Sequence, residues 1–311
     1  MIRASEQIVI NPVDQAIARI RTVYRSWNRD TPVAQMRRDW DAAFAGNVTG
    51  VHCEAVSIGG ISGEWIVPAH APSAKAVLYF HGGGFRIGSV ASHRGLLAQI
   101  AEASGCRVLA TDYRLAPEHR FPAALEDALS AWHWLLDHGL KPADIALAGD
   151  SAGGNLVLAV MCSLRDRGLP LPAASALMSP WTDLTATGAS YENRAEVDPI
   201  HQRAMILALA KNYLGQQSDP RDPLASPLYA DLSGLPPLLV QVGDRETVRD
   251  DSTMLADRAK AAGVDVELEV WDGMIHVFQM FSEIPQAQQA IGSSAKFLRR
   301  HLQLTAERTA Q

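Results

Sequence analysis

The chain has 311 residues, of which 47% are hydrophobic and 20% charged, and its formal net charge is −6. These values are typical of a globular protein with a sizeable core, and the acidic balance argues against nucleic acid or an anionic membrane as partner. Because no apolar run reaches 18 residues and the N-terminus has no apolar leader, we expect a cytoplasmic protein without a membrane span.

The first 45 residues predict two helices that precede the first strand. Apolar side chains recur every three or four positions on one helical face: Val13, Ile17, Ile20, Tyr24 and Trp27. Thr31 and Pro32 predict an N-cap and a first-turn proline for a second helix that ends before Gly46. We interpret residues 1–45 as the first part of a helical cap.

From residue 46 onward, predicted strands alternate with predicted helices. Residues 51–58 and 64–67 predict an antiparallel hairpin. Apolar runs predict further strands at 76–80, 106–112, 145–149, 174–179, 238–242 and 264–270. Helices are predicted around 96–103 and at 121–138, 155–167, 252–262 and 285–302. This alternation predicts an α/β fold with a mostly parallel central sheet flanked by helices.

Residues 181–225 interrupt that alternation with several prolines and one predicted helix at 203–213. An insertion at this point would lie over the carboxyl edge of the sheet, so we interpret it as the second part of the cap. Residues 46–180 and 226–311 then form the core. Two of the three cysteines, Cys106 and Cys162, lie inside apolar runs, which favours buried thiols over disulfide bonds or metal ligands.

A candidate nucleophile lies between the predicted strand at 145–149 and the helix that follows it. Gly149-Asp-Ser-Ala-Gly153 fits the pattern Gly-x-Ser-x-Gly, in which a sharp strand-to-helix turn exposes the serine hydroxyl. The flanking glycines let neighbouring backbone pass close to Ser151. The helix N-terminus favours negative charge that develops there. The pattern alone also arises by chance, so its strand and helix context matters.

Three successive glycines directly follow the buried strand at 76–80, in His81-Gly-Gly-Gly-Phe85. Backbone amides of Gly83 and Gly84, with the amide of Ala152, are candidates for an oxyanion hole. The alternatives are a flexible turn or a phosphate cradle. Because neither Gly-x-Gly-x-x-Gly nor a Walker lysine is present, nucleotide binding is disfavoured.

A serine nucleophile needs a base and a group that orients the base. In this fold class the chain order is serine, acid, histidine, and His276 follows the last predicted strand. The remaining candidates lie in predicted helices or in the cap: His133, His138, His201 and His301. Four carboxylates follow the strand at 238–242: Asp244, Glu246, Asp250 and Asp251. Position favours Glu246 or Asp244 as the acid, and Asp251 or Ser252 is expected to cap the next helix.

Four motifs occur together in register over residues 50–300: His81-Gly-Gly-Gly-Phe85, Tyr113-Arg-Leu-Ala-Pro-Glu118, Gly149-Asp-Ser-Ala-Gly-Gly-Asn155 and Gly273-Met-Ile-His276. In these the chain resembles the bacterial hormone-sensitive-lipase-type esterases of the α/β-hydrolase fold. The resemblance implies Ser151 as nucleophile, His276 as base, and Gly83, Gly84 and Ala152 as oxyanion donors. The acid of that family lies thirty residues before the histidine, usually in Asp-Pro-Leu. This chain departs from that pattern, with Glu246 at the matching position.

The resemblance further implies a serine carboxylesterase that hydrolyses short- to medium-chain acyl esters, needs no metal or organic cofactor, and frequently forms a homodimer. The same residues also suit a lactone hydrolase or an amide or formamide hydrolase. Residues 179–184 and 223–237 resemble a subgroup of the family that includes lactone hydrolases. An inactive binding protein on the same scaffold is the other alternative. It is disfavoured, because such a protein would be expected to lack Ser151 or His276, and both are present. Four aromatic side chains are candidates for the acyl pocket or for cap packing alone: Trp27, Trp40, Trp181 and Tyr213.

Overall fold

The computed structural model describes residues 11–46, 48–72, 74–216 and 218–304. Residues 1–10 and 305–311, the outer parts of the two terminal segments assigned above, lie outside the described residues. The strands are β1 (Val51–Ile58), β2 (Ile61–Pro68), β3 (Ala76–Phe80), β4 (Arg107–Thr111), β5 (Ile145–Asp150), β6 (Ser175–Met178), β7 (Leu238–Gly243) and β8 (Val266–Trp271). The helices are α1 (Pro12–Ser26), α2 (Val33–Phe44), α3 (Val90–Ser104), α4 (Ala123–Asp137), α5 (Ala152–Asp166), α6 (Ser190–Asn193), α7 (Arg203–Leu214), α8 (Arg249–Ala261) and α9 (Pro285–His301).

The eight strands form one sheet in the order β1-β2-β4-β3-β5-β6-β7-β8. β1 pairs with β2, and β2 with β4, in antiparallel fashion, whereas every other neighbouring pair is parallel. The predicted α/β class and the predicted hairpin are therefore confirmed. Parallel strands bring their carboxyl ends to one edge, so the loops after β3, β5, β7 and β8 converge there.

Helices cover both faces of the sheet, which explains why the central strands are apolar without alternation. In β3, Leu78 and Phe80 pack in the cluster that includes α4, α5 and α8, whereas Val77 and Tyr79 pack in the cluster with α3 and α9. All five residues of β3 are buried. The apolar run therefore reflects a strand that is buried between two layers of helices.

The N-terminal helices pack on the loops at the carboxyl edge. The buried face of α1, which includes Ile17 and Ile20, packs against the loop residues Met274 and Ile275. Trp40 of α2 packs with Val23, Met36 and Ile87, the last of which follows the glycine loop. Both helices therefore lie directly on segments that carry predicted site residues.

Two predicted helix caps are wrong. Pro32, not Thr31, is the N-cap of α2, and the Thr31 hydroxyl instead accepts a hydrogen bond from the Asn28 amide at 2.9 Å. α8 begins at Arg249, ahead of both Asp251 and Ser252, and has no side-chain cap. The Asp251 carboxylate instead accepts hydrogen bonds from backbone amides that are distant in the chain.

Across the described ranges 11–46, 48–72, 74–216 and 218–304, no helix is long and apolar enough to cross a bilayer. Cys106 and Cys162 are buried free thiols, as their apolar surroundings predict. Burial raises the pKa of Cys106 to about 12 and that of Cys162 to about 11, so both stay protonated and unreactive near neutral pH.

Candidate active site

Ser151 occupies a sharp corner between β5 and α5. Its backbone has φ 51° and ψ −117°, outside the regions that a serine readily adopts. A Cβ on Gly153 would lie 1.9 Å from the Phe80 carbonyl oxygen, and one on Gly149 would lie 2.6 Å from Gly153. Only glycine fits at both positions. The Gly-x-Ser-x-Gly pattern is thus a requirement of packing as well as of backbone conformation.

His276 lies on the loop after β8, and its Nδ1 is 2.6 Å from Glu246 Oε2. Glu246, on the loop after β7, is completely buried, and the His276 side chain is one-tenth exposed. His276 lines a cavity together with Ser151. His133 lies on α4, His138 at its C-terminal end and His301 on α9, away from the carboxyl-edge loops.

The second oxygen of the Glu246 carboxylate is fixed by two donors. The Ser179 hydroxyl donates to Oε1 at 2.7 Å, and the Gly243 amide donates to the same atom at 2.5 Å. Ser179 Oγ also accepts a hydrogen bond from the Val277 amide at 3.2 Å, next to His276. Ser179 therefore connects the glutamate to the histidine loop. The sequence carried no signal for this role, because Ser179 lies far along the chain from both partners.

The other three candidate carboxylates, one on the loop after β7 and two in the first turn of α8, accept hydrogen bonds from backbone amides rather than from the histidine. Asp244 accepts from the Gly273 amide at 2.7 Å. Asp250 accepts from the Ser190 amide at 2.9 Å. Asp251 accepts from the Thr182 and Asp183 amides at 2.8 Å each. Glu246 is the one of the four candidates in contact with His276 Nδ1.

The glycine loop after β3 adopts a conformation that side chains would prevent. Gly83 and Gly84 have φ values of 110° and 62°, and a Cβ on Gly83 would lie 2.1 Å from the Ile87 carbonyl oxygen. Both glycines line the cavity with Ser151, and Ala152 is the buried first residue of α5. The glycine loop therefore borders the cavity that contains Ser151, and the first residue of α5 directly follows that serine.

Asp150, which sequence reasoning did not select, anchors this loop. Its Oδ1 accepts from the Gly82 amide at 3.0 Å and from the Tyr79 hydroxyl at 2.7 Å, and it lies 3.5 Å from His93 Nε2. Burial works against its ionised form, but the charge of His93 and the hydrogen bonds from His93 and Tyr79 hold the pKa of Asp150 below its usual value. The residue before Ser151 therefore carries a charge that fixes the glycine loop.

Two histidines with opposite pKa shifts meet in the cavity. Burial lowers the pKa of His276, but the charge and hydrogen bond of Glu246 outweigh it and raise the pKa above its ordinary value. The ring of His201 lies edge-on to that of His276, with centroids 4.6 Å apart. Burial and the charge of His276 lower the pKa of His201 to about 4. His201 is thus neutral beside a histidine that protonates more readily.

The cavity has a volume of about 220 Å³ and is lined mainly by apolar side chains from α1, α2 and α7. Of the four aromatic candidates, Trp27, Trp40 and Trp181 line it. Tyr213 does not, because it is buried behind the glycine loop and stacks on Phe85 with ring centroids 3.7 Å apart. Three of the four aromatic residues therefore meet Ser151 in a common apolar cavity.

Comparison with known proteins agrees with this fold. The family model of the alpha/beta hydrolase fold matches residues 77–280. An acetyl-hydrolase of Streptomyces hygroscopicus is 43% identical over 247 residues, which are 79% of this chain and 82% of that protein. An esterase of Acinetobacter venetianus is 38% identical over 248 residues, 79% of this chain and 82% of that protein. The crystal structure of an esterase from the bacterial hormone-sensitive lipase family superposes with a TM-score of 0.89 at 47% identity, over 94% of this chain and 98% of that one.

The chain belongs to the α/β hydrolase fold family. The resemblance to the bacterial hormone-sensitive-lipase-type esterases, expected from the four motifs, is confirmed, and so is the class of enzyme, a carboxylic ester hydrolase.

Proposed function

We propose that the protein is a serine carboxylesterase of short- to medium-chain acyl esters, with Ser151 as nucleophile, His276 as base and Glu246 as the acid that orients the base. The observation that carries this proposal is the 2.6 Å contact between His276 Nδ1 and a fully buried Glu246 carboxylate. Glutamate has the same charge as aspartate and one more methylene, so it serves the same role in such a triad.

In the proposed reaction, Ser151 Oγ attacks the ester carbonyl while His276 Nε2 takes the serine proton. The buried Glu246 carboxylate holds the Nδ1–H tautomer and stabilises the imidazolium that forms. His276 then gives its proton to the leaving alkoxide, which departs as alcohol. Water, activated in turn by His276, attacks the acyl-enzyme and releases the acid and Ser151.

The proposed oxyanion donors are the amides of Gly83, Gly84 and Ala152. Each donor in such a site is worth about 3 kcal/mol of transition-state stabilisation. Asp150 supports this role, because its hydrogen bond to the Gly82 amide fixes the loop before the substrate arrives. A loop that is already ordered needs no reorganisation when charge develops on the substrate oxygen.

We also propose the division into a cap of residues 1–45 and 181–225 over a core of residues 46–180 and 226–311. Support comes from the cavity, because α1, α2 and α7 supply much of its apolar lining while Ser151 and His276 line it from the core. A void of about 220 Å³ suits short to medium acyl chains. The similarity to an acetyl-hydrolase supports the short end of this range of acyl-chain lengths.

The test is hydrolysis of p-nitrophenyl esters from C2 to C12 by the wild type, Glu246→Ala and Asp244→Ala. Asp244 is the matched control, because it lies on the same loop and accepts a hydrogen bond from Gly273, not from His276. We expect turnover of the shorter esters that is lost with Glu246→Ala and largely kept with Asp244→Ala. No ester turnover by folded wild type, with turnover of a lactone or amide instead, would contradict the proposal and favour those hydrolase classes.

A further inference from the structure

One charged side chain of the cavity is not neutralised. Arg86 follows the glycine loop and lines the cavity with Ser151. Within the described part of the chain its guanidinium forms no ion pair and no hydrogen bond, and Nε is buried without an acceptor. Since a guanidinium stays charged at every physiological pH, Arg86 carries a permanent positive charge that has no ion-pair partner among the described residues.

Two neighbouring charged groups already have partners of their own. Arg37 of α2 donates to the Arg86 carbonyl oxygen at 2.9 Å, but Glu118 neutralises it at 2.7 Å. Asp150, the carboxylate that lines the cavity, accepts from the Tyr79 hydroxyl and the Gly82 amide and lies 3.5 Å from His93 Nε2. The charge of Arg86 is therefore available to a ligand.

The surroundings of Arg86 strengthen this charge. The cavity wall from α1, α2 and α7 is mainly apolar, and an ionic contact gains strength where the effective dielectric constant is low. Trp40, also on the wall, has a buried Nε1 without an acceptor. Arginine and the tryptophan indole nitrogen are donors only. Both unpartnered groups therefore call for an acceptor, and an anionic oxygen suits them better than an alkyl chain.

We propose that Arg86 determines specificity by binding an anionic group, a carboxylate or an equivalent oxyanion, carried by the ester substrate away from the scissile bond. This inference rests on the proposed esterase function and adds the class of substrate. Arg binds carboxylates through two parallel N–H···O bonds, which fixes both distance and orientation. The anionic group belongs to either the acyl part or the alcohol part of the ester, and matched substrates distinguish the two.

The test compares kcat/KM for anionic esters and their neutral isosteres. In the acyl arm, the mono-p-nitrophenyl ester of glutaric acid is paired with p-nitrophenyl hexanoate. In the alcohol arm, para-acetoxybenzoate is paired with para-acetoxybenzamide. The proteins are the wild type, Arg86→Met, Arg86→Lys and Arg38→Met. Arg38 is the matched control, because it lies exposed on α2 and donates to Gln35 outside the cavity.

We expect Arg86→Met to lower the anionic-to-neutral ratio of kcat/KM about tenfold or more in one arm, the usual worth of a charge-assisted hydrogen bond. This ratio should fall less in Arg86→Lys and should stay at the wild-type value in Arg38→Met. An unchanged ratio in Arg86→Met in both arms overturns the inference, as does an equal loss in Arg38→Met, which would indicate a long-range effect of net charge.

A binding measurement separates this inference from the proposed function. Calorimetric titration of Ser151→Ala protein with the glutaric monoester and with para-acetoxybenzoate, each beside its neutral partner, gives dissociation constants without turnover. The inference predicts that one of the two anionic esters binds about tenfold more tightly to Ser151→Ala than to Ser151→Ala/Arg86→Met. Equal dissociation constants in the two proteins for both anionic esters overturn it even where hydrolysis proceeds as proposed. Absence of hydrolysis with the expected binding difference would contradict the proposed function alone.

Discussion

Substitution of Ser179 tests how the acid of the proposed triad is held. Ser179→Ala removes the 2.7 Å hydrogen bond to Glu246 and leaves the Val277 amide without its acceptor. Backbone strain does not change, because the φ of 46° at this position is equally unfavourable for serine and alanine. The substitution therefore isolates the hydrogen bonds of one hydroxyl.

Both hydrogen bonds of the Ser179 hydroxyl are lost in a fully buried environment, since Ser179 and Glu246 have no exposed surface. A hydrogen bond to a charged group contributes about 1.5–3 kcal/mol, and Gly243 still holds the same oxygen, so we expect a loss of about 2 kcal/mol in the free energy of unfolding. The carboxylate should gain freedom to rotate away from His276. We expect about a tenfold fall in kcat, because catalysis depends on the orientation of the imidazole.

The assays are urea unfolding and the kinetics of p-nitrophenyl butyrate hydrolysis. Ser179 does not line the cavity, so KM should stay near the wild-type value while kcat falls. Ser163→Ala is the control, because the Ser163 hydroxyl is also buried but has no hydrogen-bond partner among the residues that the structure describes. Its removal should change the free energy of unfolding by less than about 0.5 kcal/mol. Wild-type kcat in Ser179→Ala, or equal destabilisation by both variants, would refute the reasoning.

Three further predictions follow from the site. Glu246→Gln removes the charge that raises the pKa of His276, so the acid limb of the pH profile of kcat/KM, where His276 becomes protonated, should move to lower pH. We also expect kcat to fall on the order of 10²-fold or more, and an acid limb that does not move would contradict the pairing of Glu246 with His276. Gly153→Ala should destabilise by about 3 kcal/mol or more in thermal unfolding, because its Cβ would overlap backbone, whereas Gly95→Ala, in open space on α3, should stabilise slightly. Burial raises the pKa of Asp251 from 3.8 to about 8, so the contribution of Asp251 to the free energy of unfolding should fall as pH rises from 4 to 8. In urea titrations at several pH values, Asp251→Asn should therefore lose less stability, or gain more, with rising pH than the wild type.

The fold was largely predictable because its signals are local. The run at 76–80 matches β3 to the residue, since a strand buried on both faces must be apolar throughout. The corner at Ser151 is likewise local, because the close approach of backbone at Gly149 and Gly153 leaves glycine as the only residue that fits. Patterns of this kind require no knowledge of distant contacts.

The choice between Glu246 and Asp244 was not predictable from the residues alone. The two carboxylates lie on one loop, and which of them faces His276 depends on how that loop is held. Ser179, 67 residues before Glu246, supplies one of the donors that fix the carboxylate. Only the family resemblance, through its spacing, pointed to Glu246.

The failed cap at Asp251 has the same physical origin. Local preference assigns an aspartate at a helix start to the amides of its own first turn. Asp251 instead accepts hydrogen bonds from the buried amides of Thr182 and Asp183, 69 and 68 residues earlier. The helix begins before it, at Arg249. Long-range demand for a buried acceptor overrides the capping preference.

The most direct test of the account is stoichiometric labelling of the nucleophile. The protein is treated with diethyl p-nitrophenyl phosphate, released nitrophenolate is measured, and the adduct is located by peptide mass spectrometry. The account predicts one nitrophenolate per chain, a diethylphosphoryl adduct on Ser151, loss of ester hydrolysis in proportion, and no label in Ser151→Ala. An adduct on another residue, or wild-type ester hydrolysis by Ser151→Ala, would contradict it.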